Sequence, residues 1–324
     1  MEYRILGSTG LSVSALCMGT MQFGWTADEP TSLDVLDAAF EAGINFIDTA
    51  NIYSRWVEDN PGGVSEAILG TWFERHPDRR EKIILATKVR GAMGESPTDQ
   101  GLSRKHIFQA VQASLERMKT SHIDLYQLHW PDEQTPIEET LSALTEIVHR
   151  GWVHYIGCSN FPAWKLVEAL LLSEMNGYAS FSSLQPHFNL IHREEYEREL
   201  ETVCTKYDLG VIPYSPLARG FLTGKYPLDG SPPRDRDSVP ERILGYLREP
   251  IKRATLEVVM DIAESKAHSP AQISLAWLLA RPSIISPIIG PRNVDQLDDN
   301  LGALAVDLSG EEIARLDESS AWER

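Results

Sequence analysis

Apolar and polar positions alternate along this chain in blocks that switch between two periods. Short apolar runs such as Ile83–Lys88 and Val153–Ser159 have the length and the branched residues of buried strands. Longer segments between such runs, for example Ser103–Met118 and Ile137–His149, repeat apolar residues every three or four positions, as helices do. Strand and helix therefore alternate, which is the pattern of parallel strands joined by helical crossovers.

The pattern predicts eight core strands, each followed by helical sequence. The predicted strands are Ala15–Met18, Ile44–Asp48, Ile83–Lys88, Ile123–Trp130, Val153–Ser159, Ala179–Pro186, Leu209–Ser215 and Ser283–Ile289. The predicted helices begin around Leu33–Phe40 and continue with Val64–Glu74, Ser103–Met118, Ile137–His149, Pro162–Met175, Glu194–Tyr207, Ile251–Ala267, Pro270–Leu279, Val294–Ala303 and Gly310–Ser319. Eight such units in about 300 residues fit a closed (β/α)8 TIM barrel, with residues 1–324 forming a single domain.

Two other features complete the expected fold. Tyr3–Leu6 and Leu11–Val13 flank a Gly-Ser-Thr-Gly turn, which predicts a β-hairpin before the barrel. A long loop is expected after strand seven, and it includes the proline-rich stretch Ser231–Pro240. A doubly wound sheet is the alternative arrangement, but it would need a Gly-x-Gly-x-x-Gly turn for a dinucleotide, and the chain contains none.

The predicted strands begin apolar and mostly end in polar residues. These ends carry Asp48, Lys88, His129, Ser159, Asn160, Gln185, Tyr214 and Ser215. The carboxyl ends of parallel barrel strands share one rim, and such barrels place their active sites there. Burying a lone charge at a strand end is costly. We therefore expect these side chains to face one another at a functional site.

Asp48, Tyr53, Lys88 and His129 are the candidate acid-base group. A lysine about 4 Å from a phenol contributes roughly 4 kcal/mol at an effective dielectric of 20. That interaction would lower the pKa of Tyr53 from about 10 toward about 7, less whatever Asp48 offsets. Tyr53 would then exchange a proton near neutral pH, with His129 pointing a nitrogen at the substrate oxygen.

Charge and cysteine content narrow the classes of partner. The net charge of −17 argues against general affinity for nucleic acid or for an anionic membrane. Cys17, Cys158 and Cys204 are far apart, which suggests reduced thiols, and the N-terminus lacks the apolar core of a signal peptide. A cytoplasmic location is expected. His187 and His192 are interpreted as part of a polar loop, so no metal site is predicted, and nothing indicates the oligomeric state.

Several motifs together resemble the aldo-keto reductase superfamily from about Tyr3 to Ala303. They are Asn-Phe-Ile-Asp-Thr-Ala at 45–50 with Tyr53, Thr87 with Lys88, Leu-Tyr-Gln-Leu-His-Trp at 125–130, Ile-Gly-Cys-Ser-Asn at 156–160, Tyr-Ser-Pro-Leu at 214–217, Gly-Phe-Leu-Thr-Gly-Lys at 220–225, and Ile-Gly-Pro-Arg at 289–292 running on to Asn300. The resemblance implies a (β/α)8 barrel that reduces an aldehyde or ketone, reversibly, with hydride from NADPH (NADP+) and a proton from Tyr53. NADH is the alternative cofactor.

The resemblance also implies a role for each motif residue. Ser159, Asn160 and Gln185 would hold the nicotinamide carboxamide, with Gly19, Thr20 and Asp48 also at the cofactor site and Tyr214 stacked on the ring. Ser215, Leu217, Gly220 and Lys225 would line the pyrophosphate. Gly290, Arg292, Gln296 and Asn300 would hold the adenine end, with Arg292 on the 2′-phosphate.

The substrate end is predicted only in outline. Trp25, Trp56 and Trp130, along with Met21 and Phe23, are candidates for an apolar pocket. No cationic residue is evident for a carboxylate, so a neutral carbonyl or alcohol substrate is expected. The alternative function is a non-enzymatic nicotinamide-nucleotide-sensing subunit built on the same barrel.

Overall fold

Short parallel strands form the centre of the structure, a computed structural model that describes residues 1–233 and 238–322. The hairpin strands are β1 (Tyr3–Ile5) and β2 (Ser12–Ser14), which pair antiparallel. The barrel strands are β3 (Cys17–Gly19), β4 (Phe46–Asp48), β5 (Ile84–Val89), β6 (Ile123–Leu128), β7 (Val153–Ser159), β8 (Phe181–Gln185), β9 (Gly210–Val211) and β10 (Ile288–Ile289). Both the hairpin and the parallel strands of the prediction are confirmed.

The parallel sheet closes on itself. In the described residues its order is β10-β3-β4-β5-β6-β7-β8-β9, so the two ends of the series are β10 and β9. The Ile285 amide donates to the Val211 carbonyl and the Ile288 amide donates to the Pro213 carbonyl, both at 2.9 Å. These hydrogen bonds join the two end strands, so the predicted (β/α)8 barrel is confirmed.

Helices surround the barrel. They are α1 (Glu29–Glu41), α2 (Val64–Arg75), α3 (Arg104–Met118), α4 (Ile137–His149), α5 (Ala163–Asn176), α6 (Glu201–Lys206), α7 (Glu241–Arg248), α8 (Pro250–Lys266), α9 (Pro270–Leu279), α10 (Val294–Leu301) and α11 (Gly310–Ser319). N-terminal caps fix where several of these helices begin. The Ser103 side chain accepts a hydrogen bond from the His106 amide at the start of α3, and Ser269 forms a capping box with Gln272 at the start of α9. Within residues 1–233 and 238–322, no helix has both the length and the apolar character that a bilayer span needs.

The structure differs from the predicted elements mainly around the last two strands. The sequence predicts strands over 209–215 and 283–289, but regular pairing is limited to β9 and β10. Pro213 and Pro287 lie in these runs, and proline has no amide to donate to a ladder. Helix α7 is absent from the prediction because it spans only eight residues after Pro240. Residues 234–237 of the expected long loop lie outside the described residues.

Apolar packing fills one end of the barrel. Leu6 and Val13 of the hairpin region pack with Phe46 and Leu125 in a buried cluster inside the strands. A larger cluster lies between the strands and the helices. The polar side chains therefore lie at the opposite end of the barrel, at the carboxyl ends of the strands.

Candidate active site

Lys88, at the end of β5, is the centre of a fully buried polar group. Its ammonium donates to Asp48 Oδ2 at 2.5 Å, to the Tyr53 hydroxyl oxygen at 2.8 Å and to the Thr49 carbonyl at 2.9 Å. An ammonium has three protons and no acceptor, so all three are used. Tyr53 must therefore accept from Lys88, and its own O–H proton is available to a different partner. The structure thus brings Asp48, Tyr53 and Lys88 together, as the sequence predicts.

Asp48 balances the lysine charge and is itself fixed by two amides. Its Oδ1 accepts from Gln127 Nε2 and from Gln185 Nε2, both at 2.9 Å. Burial acts to lower the pKa of Lys88, but Asp48 and Tyr53 outweigh it, and the pKa of Lys88 is raised. Lys88 is therefore held charged and immobile.

Tyr53 does not have the lowered pKa that the sequence pattern led us to expect. Burial raises the pKa of Tyr53 to about 12; Lys88 opposes this and Asp48 adds to it. The expectation counted the lysine charge and omitted the cost of forming a phenolate away from water. Tyr53 is accordingly a protonated phenol across the neutral range.

His129 lies beside Tyr53 with one nitrogen unused. Its ring stacks on Trp130, with centroids 3.7 Å apart, and meets the Tyr53 ring edge-on at 6.0 Å. His129 Nδ1 is buried and finds no hydrogen-bond partner in the part of the chain that the structure describes. Burial, assisted by the charges of Lys88 and Arg90, holds the pKa of His129 well below its usual range. The neutral imidazole is thus placed next to the phenol as a hydrogen-bonding group.

Gln127 belongs to the same group and is not among the predicted site residues. It is fully buried on β6, it donates to Asp48, and its Oε1 accepts from Gln185 Nε2 at 3.2 Å. The signal was available, because Gln127 lies two residues before His129 and alternate residues of a strand share a face. A buried glutamine on the face that leads to a charged cluster indicates a supporting role.

The amides at the ends of β7 and β8 form a connected network. Asn160 Nδ2 donates to the His129 carbonyl and to Ser159 Oγ, and the Tyr214 hydroxyl donates to Asn160 Oδ1, all at 2.9 Å. The backbone of Asn160 has φ of +59°, which asparagine tolerates better than most residues. Ser159 Oγ donates to the Gln185 carbonyl at 2.8 Å. The predicted carboxamide-binding residues are therefore gathered beside the tetrad, with the Gln185 amide turned toward Asp48.

His187 and His192 lie in the loop that follows β8, as predicted, and they form a stack behind Tyr214. The His187 ring lies parallel to the Tyr214 ring, with centroids 5.0 Å apart, and the His192 ring is 4.3 Å from His187. The His192 Nε2 atom is 3.1 Å from the Tyr246 hydroxyl. Burial lowers the pKa of each histidine to about 4, so both rings are neutral. The stack braces one face of Tyr214.

The loop after β9 curls around Lys225. Residues Ala218–Thr223 form a kinked 3-10 turn in which Gly220 has φ of +89°. That positive φ favours glycine, and a Cβ atom at Gly220 would lie 2.9 Å from Lys225 Nζ, so the lysine side chain lies close against this turn. Ser215 accepts the Ala218 amide through its carbonyl, and Leu217 accepts the Gly220 amide in the same way. The four residues predicted for the pyrophosphate are thus contiguous in space.

The segment after β10 is open around Gly290 and carries one cationic side chain, Arg292. Gly290 is exposed, and a Cβ atom there would meet nothing closer than the Gln22 side chain at 4.0 Å. The Arg292 amide donates to Gln296 Oε1 at 3.0 Å, and Asn300 is buried on α10. Across residues 1–233 and 238–322 the Arg292 side chain forms no ion pair. An unpaired guanidinium beside open backbone suits a phosphate, so these residues fit the nucleotide that the sequence implies.

Gly19 and Thr20 hold the backbone next to Asp48. Gly19 pairs with Asp48 in the sheet, and a Cβ atom at Gly19 would lie 2.5 Å from the Ile288 side chain. The Thr20 hydroxyl donates to the Asp48 carbonyl at 3.2 Å. Both residues lie beside the tetrad, as expected of the cofactor site.

Three tryptophans stand around the tetrad. Trp25 and Trp56 meet edge-on at 5.5 Å, and Trp56 is 6.3 Å from the Tyr53 ring. Trp25, Trp56 and Trp130 are 45%, 50% and 36% exposed, which is unusual for side chains of this size. Phe23, in contrast, is buried in the core. The tryptophans therefore form an aromatic wall at the mouth of the barrel.

A group of residues of metal-ligating type, His122, Asp124 and His154, lies at the opposite end. The imidazoles stack with centroids 4.6 Å apart, and Arg80 donates to Asp124 Oδ2 at 2.9 Å. The Leu85 amide donates to the same oxygen. A guanidinium already neutralises the carboxylate, so we interpret this group as an ion pair covered by two rings.

Comparisons with known proteins agree with this geometry. The model of the aldo/keto reductase family matches residues 15–321. An uncharacterized oxidoreductase, YrpG, of Bacillus subtilis (strain 168) is 39% identical over 324 residues, which cover 98% of this chain and 95% of the relative. Versiconal hemiacetal acetate reductase of Aspergillus parasiticus is 35% identical over 342 residues, covering 98% and 96%. A putative aryl-alcohol dehydrogenase, C977.14c, of Schizosaccharomyces pombe (strain 972 / ATCC 24843) is 34% identical over 349 residues, covering 98% and 95%.

Proposed function

The chain belongs to the aldo/keto reductase family of NAD(P)H-dependent oxidoreductases, and we propose that it reduces an aldehyde or ketone to the alcohol with NADPH and with Tyr53 as the proton donor. The observation that carries the proposal is the saturation of Lys88. Its three protons go to Asp48, Thr49 and Tyr53, which leaves the Tyr53 proton for the substrate oxygen. The reaction is reversible, since the same group accepts a proton when an alcohol is oxidised.

The protonation states suit the direction of reduction. With its pKa raised to about 12, Tyr53 is a full acid at neutral pH, and an alkoxide formed on the substrate is a stronger base than the phenolate left behind. His129 is neutral, so it orients the carbonyl oxygen by a hydrogen bond without adding charge. Lys88 then stabilises the Tyr53 phenolate, and Asp48 prevents the lysine from losing its proton.

The cofactor assignment follows from three local features. NADPH supplies the hydride when it is bound. Ser159, Asn160 and Gln185 would hold the carboxamide, and Tyr214, braced by His187, would present a flat surface to the ring. Ser215, Leu217, Gly220 and Lys225 would contact the pyrophosphate, and Gly290, Gln296 and Asn300 the adenine end. We assign Arg292 to the 2′-phosphate, which makes NADPH the preferred cofactor and NADH the weaker one.

The aromatic wall supports a ring-containing substrate. Trp25, Trp56 and Trp130 surround Tyr53 and His129, and offset or edge-on contacts with another ring are favourable. Two relatives carry names that refer to an aryl alcohol and to versiconal hemiacetal acetate. An aromatic carbonyl compound is therefore the substrate class that we propose.

The test is steady NADPH consumption with a panel of aromatic and aliphatic aldehydes, run side by side with NADH. Tyr53→Phe should lower kcat by about 10²- to 10⁴-fold while the Kd for NADPH stays near that of the wild type. Tyr207→Phe, on a tyrosine beyond the end of α6, is the matched control and should keep full activity. Full activity of Tyr53→Phe would contradict the proton assignment. Cofactor binding with at most one turnover would instead indicate the nucleotide-sensing alternative.

A further inference from the structure

Arg90 is a half-buried charged residue that forms no ion pair within the described part of the chain, although the Asp132 carboxylate is close enough to feel its charge. Its Nε is buried from solvent without a hydrogen bond, and its guanidinium forms no ion pair with any residue in 1–233 or 238–322. Arg80 and Arg117, in contrast, are paired, Arg80 with Asp124 and Arg117 with Glu66 at 2.7 Å. Burying a guanidinium N–H without an acceptor is unfavourable, so the Nε of Arg90 calls for an explanation.

Arg90 lies next to the catalytic group. It follows directly after the last residue of β5 and is two positions beyond Lys88 in the chain. Val89 pairs with Leu128, and the His129 amide donates to the Val89 carbonyl at 2.9 Å, so Arg90 and His129 leave the sheet side by side. The charge of Arg90 contributes to the lowered pKa of His129 and also to that of Asp132, which is consistent with a guanidinium near both.

The backbone at Arg90 is strained. Its φ is +127°, a conformation that residues other than glycine rarely adopt. The Gly101 amide donates to its carbonyl at 2.9 Å, and a Cβ atom at the following Gly91 would lie 2.4 Å from the Ile52 side chain. Strained backbone of this kind persists where neighbouring structure enforces it, and it concentrates at ligand sites. The strain therefore fixes Arg90 at the mouth of the barrel.

We propose that Arg90 binds a carboxylate of the substrate, so that the enzyme acts on an aromatic oxo acid. The inference rests on the proposed reductase function. The His129 amide donates to the carbonyl of Val89, so the Arg90 backbone lies directly beside His129, and the buried, unused Nε of Arg90 is the group that we assign to a substituent of the ring. One guanidinium neutralises one negative charge and binds a carboxylate bidentately, so a carboxylate fits better than a phosphate dianion. Trp25, Trp56 and Trp130 would pack around the ring.

This inference revises the expectation of a neutral substrate. The sequence shows Arg90 only as a residue in the long loop after a strand. Its unused Nε and its position beside His129 become visible only in the structure.

The experiment compares 4-carboxybenzaldehyde with its neutral methyl ester, methyl 4-formylbenzoate. The wild type should prefer the acid in kcat/KM. In Arg90→Met the ratio of the two kcat/KM values should fall by about 10- to 100-fold, the range for a hydrogen bond to a charged group. Arg90→Lys should retain part of the preference. Arg55→Met is the matched control at the same mouth, because Arg55 already donates to the Gly94 carbonyl, and its ratio should equal that of the wild type.

A second measurement does not depend on turnover. Benzoate binding to the protein loaded with NADP+ is followed by the fluorescence of the mouth tryptophans, and the Kd should rise at least tenfold in Arg90→Met. Equal ratios in the wild type and Arg90→Met, or an unchanged Kd for benzoate, would overturn the proposal. If neither aldehyde is reduced by the wild type, the reductase function fails, while the benzoate titration still decides the role of Arg90.

Discussion

Two buried ion pairs lie at opposite ends of one barrel, and their surroundings differ. At the amino end of the strands, Arg80 donates to Asp124, to the Thr120 hydroxyl and to the carbonyls of Ile83 and His122. At the carboxyl end, Lys88 and Asp48 are equally well satisfied. Around that second pair, however, His129 Nδ1, Arg90 Nε and the side-chain amide of Asn51 are buried with no partner among the described residues.

The difference separates a structural pair from a functional one. An ion pair whose neighbours are all satisfied has nothing left to bind, so it acts only on stability. The Lys88 pair is surrounded by unused donors and acceptors, and these are the groups that a ligand would complete. Buried charge therefore does not identify the site by itself, and the group of unsatisfied polar atoms beside Lys88 is the additional evidence at this end.

The largest expected effect comes from removing the charge at the functional end. Lys88→Met should lower kcat by about 10²- to 10⁴-fold, because the Tyr53 phenolate loses the ammonium that stabilises it. Steady-state reduction assays and NADPH titration measure activity and cofactor binding separately. Lys82→Met, on an exposed lysine paired with Asp78, is the control. A normal kcat in Lys88→Met would contradict the assignment of the Lys88 pair as functional and the Arg80 pair as structural.

The corresponding change at the structural end should act on stability. Arg80→Met should lower the free energy of unfolding by about 3–5 kcal/mol, because Asp124 is left as an uncompensated buried charge. Urea unfolding measures this loss, and kcat of the folded variant should stay near that of the wild type. The double variant Arg80→Met with Asp124→Leu should recover part of the stability. A kcat loss as large as that of Lys88→Met would mean that the two ends are coupled.

The pH dependence of kcat/KM tests the protonation state of Tyr53 at the functional end of the barrel. Reduction needs the phenol, which is the form present below a pKa of about 12, so kcat/KM for reduction should be flat from about pH 6 to about pH 9. The pKa of His129 lies well below its usual range, so no inflection near pH 6.5 is expected either. Oxidation of the alcohol needs the phenolate, so its kcat/KM should rise about tenfold per pH unit over the same range. A reduction profile that falls above about pH 7 would instead support the lowered Tyr53 pKa that the sequence pattern suggests.

The smallest expected effect concerns the stack behind Tyr214. His187→Leu removes a parallel ring contact, and such contacts contribute about 0.5–1.5 kcal/mol, so the Kd for NADPH should rise about 2- to 10-fold. Isothermal titration measures it, with His149→Leu at the end of α4 as the control. An unchanged Kd would show that Tyr214 needs no support from His187.

Local sequence is sufficient to predict several residues of the candidate site. Asp48, Lys88 and His129 end apolar runs, so their position at one rim follows from strand–helix alternation and the geometry of a barrel. Ser159 and Tyr214 are also predicted from their positions at the ends of strands, and each lies in a motif that resembles the aldo-keto reductases. Gln127 is not among the predicted residues although its position two residues before His129 marks its face of the strand, because its role depends on hydrogen bonds to Asp48 and Gln185 that only the fold creates.

What the sequence determined by itself is the order of the elements, the closed barrel and the identity of the residues at its rim, because these depend on periodicity and on neighbours along the chain. Only the tertiary structure decided the direction of the Tyr53 pKa shift, the stack of His187 on Tyr214 and the unsatisfied Nε of Arg90. Those properties depend on how much water is excluded and on which distant groups supply hydrogen bonds, and chain order records neither.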